Sequence, residues 1–387
     1  MDNNKIKRFF INIFSLTSCL SVAINNVGLV IAGILSFNDR NNIKYIYDEY
    51  RDIINAFCVF WVCLLPSIIF SGNLVESFKD FGSVYIYRFL PFFIALCIIN
   101  NRQIEFNNDI IIFSAFIASS VAIYQGIFLD IKRVIGLSNH PMVFAGLLCI
   151  VIPMSFINFF NENFSKLKRS IYFLSFCFFS FALLLNATRG AWIAMAIVIA
   201  IVLFVAKNSM RKMIALLAIF LLLCISFFNS GYFENRVLSI KSMQANSERL
   251  LIWESSKKMF LDNPITGVGL GNYTYQYQNK YISPQAKEPY LRNSHNIYLQ
   301  FLAENGVIGF IGFLYLFYKI ITVSISAFRK KQNMHALIGL GITFGFLIHG
   351  LTECTFSNTN VVKLYWFVLG GCFAIVKNKP LEITKEK

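Results

Sequence analysis

Charge is scarce in this chain: 14% of its residues are charged, where a soluble domain carries about 25%. Apolar residues make up 56%, with Phe alone contributing 42 positions. Helices of a water-soluble fold could not hide so much apolar surface, which leaves a polytopic α-helical membrane protein. Acid is scarcer than base, 20 Asp and Glu against 35 Lys and Arg for a net charge of +15. In such a protein basic residues report orientation first, so the excess is not read as nucleic-acid binding. A cleavable signal peptide is not expected either: the apolar run from Phe9 leads into a second with no small-residue cleavage site between. Of the nine Cys, eight lie within apolar runs and Cys354 near a membrane end. None falls in the long polar stretch, which argues against a disulfide framework or zinc site there.

What the chain does have is apolar segments separated by short charged loops. They fall at roughly 9–24, 27–37, 53–70, 85–99, 110–128, 141–159, 171–185, 192–205, 213–228, 297–326, 336–351 and 363–376. That is about twelve transmembrane helices, each near the ~20 residues needed to cross. The first pair, Phe9–Phe37, reads either as one long helix broken at Asn25-Asn26 or as a tight hairpin, and the distribution of charge, which needs two crossings, selects the hairpin. With the N-terminus inside, the inner loops hold twenty Lys and Arg, against six (Lys79, Arg88, Lys132, Arg133, Arg189, Lys363) in the short outer connections. The positive-inside rule favours that threading, with both termini cytoplasmic. The expected organisation is helices 1–9 over 1–228, one large external (periplasmic) loop over 229–296, and helices 10–12 with a cytoplasmic tail over 297–387.

The loop carries eight basic and five acidic residues. Ser247 to Trp253 opens a helix that should stop before Pro264, and Gly267, Gly269 and Gly271 then make a turn. Gly267-Val268-Gly269-Leu270-Gly271 lacks the strand–turn–helix setting of a dinucleotide loop. The external side has no paired carboxylates and no Asp-x-Asp, which argues against metal-dependent glycosyl transfer. A basic loop with a His and several Arg at the bilayer edge suits a lipid-linked anionic substrate.

Arg189 lies between two apolar helices at their external ends, where a charge is costly and tends to be functional; the alternative is an arginine snorkelling to headgroups. Arg249, near the start of the loop helix, pairs a guanidinium with free backbone N–H groups, an arrangement suited to phosphate. Its alternative is a solvated loop charge. His295, the one His in the loop, can take a proton near neutral pH and is the candidate general base, against a structural or interfacial His. Arg88, at the external end of its segment, either adds positive charge to the same pocket or anchors the interface. His140 is a weaker candidate, and His335 and His349 read as structural.

Three blocks, in order, resemble the O-antigen ligase family: Thr188-Arg189-Gly190-Ala191-Trp192; Arg249 with Trp253 and then Asn263-Pro264-Ile265-Thr266-Gly267-Val268-Gly269; and Ser294-His295-Asn296-Ile297-Tyr298 followed by Glu304-Asn305-Gly306-Val307-Ile308-Gly309. They span roughly Asn186 to Gly312. O-antigen polymerases and protein O-oligosaccharyltransferases share them. The resemblance implies a GT-C-like integral-membrane glycosyltransferase that needs no metal or other cofactor. It would move a glycan from undecaprenyl diphosphate to an acceptor on the periplasmic face of the inner membrane. Arg189 and Arg249 would hold the diphosphate and His295 would act on the acceptor hydroxyl. Arg88, Arg292, Asn296 and Trp253 are the expected further substrate contacts. The expected partners are an undecaprenyl-diphosphate-linked O-antigen donor, a lipid A–core acceptor and membrane lipids. An O-antigen polymerase is the alternative enzyme. A polysaccharide-lipid flippase is the alternative from another class, and would need a charged cavity between helices.

Overall fold

A computed structural model describes residues 3–38, 40–98, 100–229, 243–331 and 333–377. Arg236, Lys241, Glu234 and the tail lysines 379, 385 and 387 lie outside the described residues. Among the described residues every regular element is helical, with no strand. The elements are α1 (Asn3–Thr17), α2 (Val22–Phe37), α3 (Arg40–Ile69), α4 (Leu74–Asp80), α5 (Leu90–Leu96), α6 (Asn101–Ile127), α7 (Pro141–Phe159), α8 (Lys166–Asn186), α9 (Arg189–Val205), α10 (Ser209–Asn229), α11 (Met243–Asp262), α12 (Tyr273–Gln276), α13 (Ile297–Lys331), α14 (Met334–His349) and α15 (Thr359–Lys377).

Among the described residues six helices are long and apolar enough to cross a membrane: Ile43–Ile69, Asn101–Ile127, Pro141–Phe159, Lys166–Asn186, Ile297–Lys330 and Thr359–Val376. Three shorter apolar helices, Val22–Phe37, Arg189–Val205 and Met334–His349, accompany them. The protein is therefore a multi-pass membrane helix bundle. The expected segment 85–99 is drawn differently: the chain is helical from 74 to 96, through α4, a π-turn (Phe81–Ile86), a 3₁₀ turn (Tyr87–Phe89) and α5. Arg88 thus sits inside a distorted helix rather than at its end. Pro91, which has no N–H to give, opens α5 after these changes of pitch.

The first hairpin also turns earlier than Asn25-Asn26. The hydroxyls of Ser15, Thr17 and Ser18 bond back to the carbonyls of Ile11, Ile13 and Phe14, closing α1. The two asparagines start α2 instead, and their amide oxygens receive the ammonium of Lys363 from α15. Lys363 is fully buried, not an exposed outer-loop charge. A buried amine is costly unless it is hydrogen-bonded, and the two Asn oxygens accept two of its N–H groups.

The abundant Phe knits the bundle together. Phe57 packs on Phe92 and Trp366 at centroid distances of 5.0 and 5.2 Å, and Phe89 sits 4.5 Å from Trp366. α3 packs along α13, α15 along α5, and α7 between α8 and α14. Helix starts are set by local chemistry: Asn100 caps α6, Ser165 caps α8, and His140 Nδ1 accepts the Met142 N–H ahead of Pro141.

α13 is broken at Gly306, whose φ of 59° and ψ of −162° are not helical. The glycine turn predicted after Pro264 fills that break. Ala303 and Glu304 carbonyls, freed by it, accept the N–H groups of Val268 and Gly269 at 2.8 and 3.1 Å. In return Val307 N–H reaches the Pro264 carbonyl at 2.8 Å. Gly267 and Gly306 have positive φ, and a Cβ on either would strike the backbone of the other segment. Only glycine allows both the φ and the approach.

Candidate active site

Four segments converge at one end of the bundle: the return of the long loop (294–296), the short loop after α14 (350–357), the start of α9, and α11. The loop return is held first by its backbone. Ile297 N–H donates to the Gly350 carbonyl at 2.8 Å. The Asn296 amide N–H donates to the Leu351 carbonyl at 3.0 Å, while its Oδ1 accepts the Tyr298 and Leu299 N–H groups and so caps α13. The Tyr298 hydroxyl donates to the Leu347 carbonyl at 3.0 Å. The Trp253 indole N–H, on α11, donates to the Ser294 carbonyl at 3.1 Å. The side chains of Asn296 and Trp253, expected as substrate contacts, are thus the clamps that lock loop to bundle.

Between these clamps the backbone turns left-handed at His295, φ 49°. Its N–H donates to Asn293 Oδ1 at 3.0 Å. Its ring, about a quarter exposed, places Nδ1 3.3 Å from Glu353 Oε2. Glu353 is 4% exposed and comes from the loop after α14. Burial alone would raise its carboxyl. The hydrogen bond with His295 and the positive fields of His295, His349 and Arg249 outweigh that and hold it below the ordinary 4.5. A buried carboxylate on Nδ1 fixes the ring tautomer and leaves Nε2 to take a proton.

Glu353 was not singled out in the sequence. Its signal is an acid in a short loop at a membrane end, Leu351-Thr352-Glu353-Cys354, whereas orientation is read from basic residues alone. His349, one turn before it, is buried, and neither ring nitrogen finds a hydrogen-bond partner among the described residues.

Arg249 lies one turn before Trp253 on α11, so the turn that clamps Ser294 also carries its guanidinium within electrostatic range of Glu353. Arg189 opens α9. α8 ends at left-handed Ala187 (φ 56°), and Asn186 braces the turn by donating to the Val134 and Pro141 carbonyls at 2.7 and 3.0 Å. Gly190, the next residue, packs directly on Thr352, leaving no room for a Cβ. The arginine motif therefore abuts the loop that carries Glu353. Arg88 supports that loop from the other side: its Nη1 donates to the Phe356 carbonyl at 2.7 Å. Arg292 is exposed, three residues ahead of His295. His140 serves as a helix cap. Among the described residues no three His, Cys, Asp or Glu are grouped to hold a metal, and the described cysteines are free thiols.

Residues 173–314, which include Arg189, Arg249 and His295, match the family model described as O-antigen ligase. Over this region the chain is similar to the O-antigen ligase family. Relatives extend the similarity over most of the chain. An O-antigen ligase of Salmonella typhimurium is 24% identical over 331 residues, 78% of this chain and 79% of its own length. A ComP-specific O-oligosaccharyltransferase of Acinetobacter baylyi is 25% identical over 352 residues, covering 83% of this chain; the match spans 62% of that longer relative. A Haemophilus influenzae protein without a described activity is 25% identical over 356 residues, 84% and 86% of the two chains. Glu353 lies beyond the O-antigen ligase domain match.

Proposed function

We propose that the protein is a membrane-embedded glycan transferase acting as an O-antigen ligase. It passes polysaccharide from undecaprenyl diphosphate to a sugar hydroxyl of lipid A–core at the periplasmic face. The observation that carries the reading is the His295–Glu353 pair, built where the Arg189 motif and the Arg249 helix meet one short loop. In the reaction, Nε2 of His295 takes the acceptor hydroxyl proton as the oxygen attacks the anomeric carbon. The bond from that carbon to the diphosphate oxygen breaks, and undecaprenyl diphosphate departs with the electron pair. Arg189 and Arg249 offset the charge that builds on it, a stabilisation that is largest when donors are already in place. Glu353 stabilises the imidazolium that forms.

Orientation follows from the two ends of the bundle. The turns at the end away from His295 carry Lys166, Lys168, Arg169, Lys207, Arg211, Lys212, Arg329 and Lys330, which favours the cytoplasm for that end. α1 begins there and α15 ends there, so both chain ends would be cytoplasmic and the site periplasmic. About twelve crossings remain the proposed count, with the shorter apolar helices completing the six long spans.

The similarity to the Salmonella O-antigen ligase favours the ligase reading. A polymerase would use the same donor with a lipid-linked glycan as acceptor. The test is surface lipopolysaccharide from a deletion strain. Bare core with long glycan left on the carrier lipid supports the ligase; core bearing a single repeat unit assigns polymerase; unchanged lipopolysaccharide removes both.

A further inference from the structure

At the end of the bundle away from His295, a cleft of about 530 Å³ opens between the α7–α8 turn, the end of α9 and α13. Its polar rim is formed by Lys207, Arg329, Asn161, Asn163, Asn208 and the exposed Glu162. Arg211 stands behind it, donating to the Phe160 carbonyl at 3.1 Å and lying 3.6 Å from Glu162. The cleft adjoins an apolar groove of about 280 Å³ that continues between α9 and α14. Val202, Val205, Phe328 and Leu337 line both, and Arg329 lies at the junction. Deeper in the groove only apolar side chains remain, among them Val198, Ile201 and Phe344.

Helix lengths fix the depth of the rim. The 17 residues of α9 span ~25 Å at the α-helical rise. Lys207 therefore lies near the membrane boundary opposite Arg189. The part of α13 after Gly306 spans ~37 Å, longer than a ~30 Å hydrocarbon core. Its last turns, with Arg329, therefore emerge at headgroup level. A basic rim at headgroup depth over an apolar groove between helices matches a phosphate with an acyl chain attached, and such pockets suit anionic lipid headgroups.

We propose that this cleft binds an anionic phospholipid from the leaflet facing away from the active site. Its phosphate sits between Lys207 and Arg329, and one acyl chain lies along Val198, Ile201 and Phe344. The placement rests on the cleft and helix lengths; naming that leaflet cytoplasmic rests on the orientation above.

The test is native mass spectrometry of the purified full chain in detergent, titrated with dioleoyl phosphatidylglycerol or with dioleoyl phosphatidylcholine. Wild type should retain one phosphatidylglycerol at a concentration roughly tenfold or more below that for phosphatidylcholine. Lys207→Ala with Arg329→Ala should erase the preference, and the milder Lys207→Gln with Arg329→Gln should erase it as well. Lys44→Ala with Arg102→Ala removes two exposed charges elsewhere at the same end and should leave it intact. Ile201→Trp, which fills the groove under an unchanged rim, should weaken phosphatidylglycerol retention. Equal retention of both lipids by wild type would overturn the proposal. So would equal loss in the Lys44/Arg102 variant, or full retention in Ile201→Trp.

Discussion

The two ends of this bundle differ in how deeply they hold their ionisable groups. At the His295 end exposed charges pair with one another, as Lys79 does with Glu76 at 3.0 Å and Lys280 with Asp262 at 3.2 Å, but buried ionisable groups are held by backbone and amide groups. Arg88 donates to a backbone carbonyl, Glu304 accepts from the Tyr273 backbone N–H at 3.2 Å, and buried Lys363 is held by two asparagines at a helix start. At the other end charge more often meets charge on partly exposed side chains: Lys168 pairs at 3.0 Å with Asp109, which also accepts the Tyr172 hydroxyl, and Arg211 lies 3.6 Å from Glu162 while donating to the Phe160 carbonyl. Exposed pairs of that kind are worth little. Burying a charge is expensive, and holding it in one geometry is useful when it must face a developing charge without reorganising. The difference teaches where to look for chemistry: not where charges are many, but where they are fixed.

The contrast is tested most severely at His295. His295→Ala should cut glycan transfer by about 10²–10⁴, the usual worth of a general base, at equal membrane abundance. Near-normal turnover in reconstituted protein would take His295 out of the mechanism.

Glu353→Gln keeps the shape and removes the fixed charge. We expect a loss of roughly 10² or more in turnover, since the buried carboxylate both orients the ring and stabilises its charged form. Stability should respond with a defined sign. The native carboxyl sits below its ordinary 4.5, so its contribution is complete above that pH and fades as pH falls through the native value. The difference in unfolding midpoint between wild type and Glu353→Gln should therefore be present above pH 4.5 and shrink as pH falls through the native carboxyl's lower value. A gap that survived undiminished once the carboxyl is protonated would contradict the assigned direction.

Arg189→Lys and Arg249→Lys should each lower transfer about ten- to hundredfold, because lysine offers a point charge where a guanidinium forks onto two phosphate oxygens. Snorkelling predicts no change, since lysine snorkels equally well. Donor consumption by the two Lys variants decides between them.

The smallest effect belongs to the other end. Glu162→Gln, at the exposed partner of Arg211, should shift stability by less than ~1 kcal/mol and leave turnover alone. A severe loss of transfer there would erase the contrast between the ends.

Much of this could be read in the chain before its structure. The long apolar runs, the loop helix ending before Pro264, and Arg189, Arg249 and His295 each carry a local signal. What escaped reading is tertiary. Glu353 is one acid in a short loop until His295 arrives 3.3 Å away. Lys363 resembles any orientation charge until two asparagines from another helix meet it. Asn25-Asn26 looks like a breaker pair, yet the hydroxyls seven to ten residues earlier end the first helix. Gly306 follows Glu304-Asn305 inside a segment that reads as one apolar run over 297–326, so the gap in α13 shows only with the glycine turn inside it.

That gap bears on how the protein is made. A helix entering the bilayer with a missing turn would leave carbonyls and N–H groups bare in hydrocarbon, at several kcal/mol for each. Here the segment that covers them, Pro264 to Gly269, precedes the helix in the chain. The plug leaves the ribosome before the hole it fills. The residues that must cover the gap are therefore already synthesised when the second half of α13 emerges.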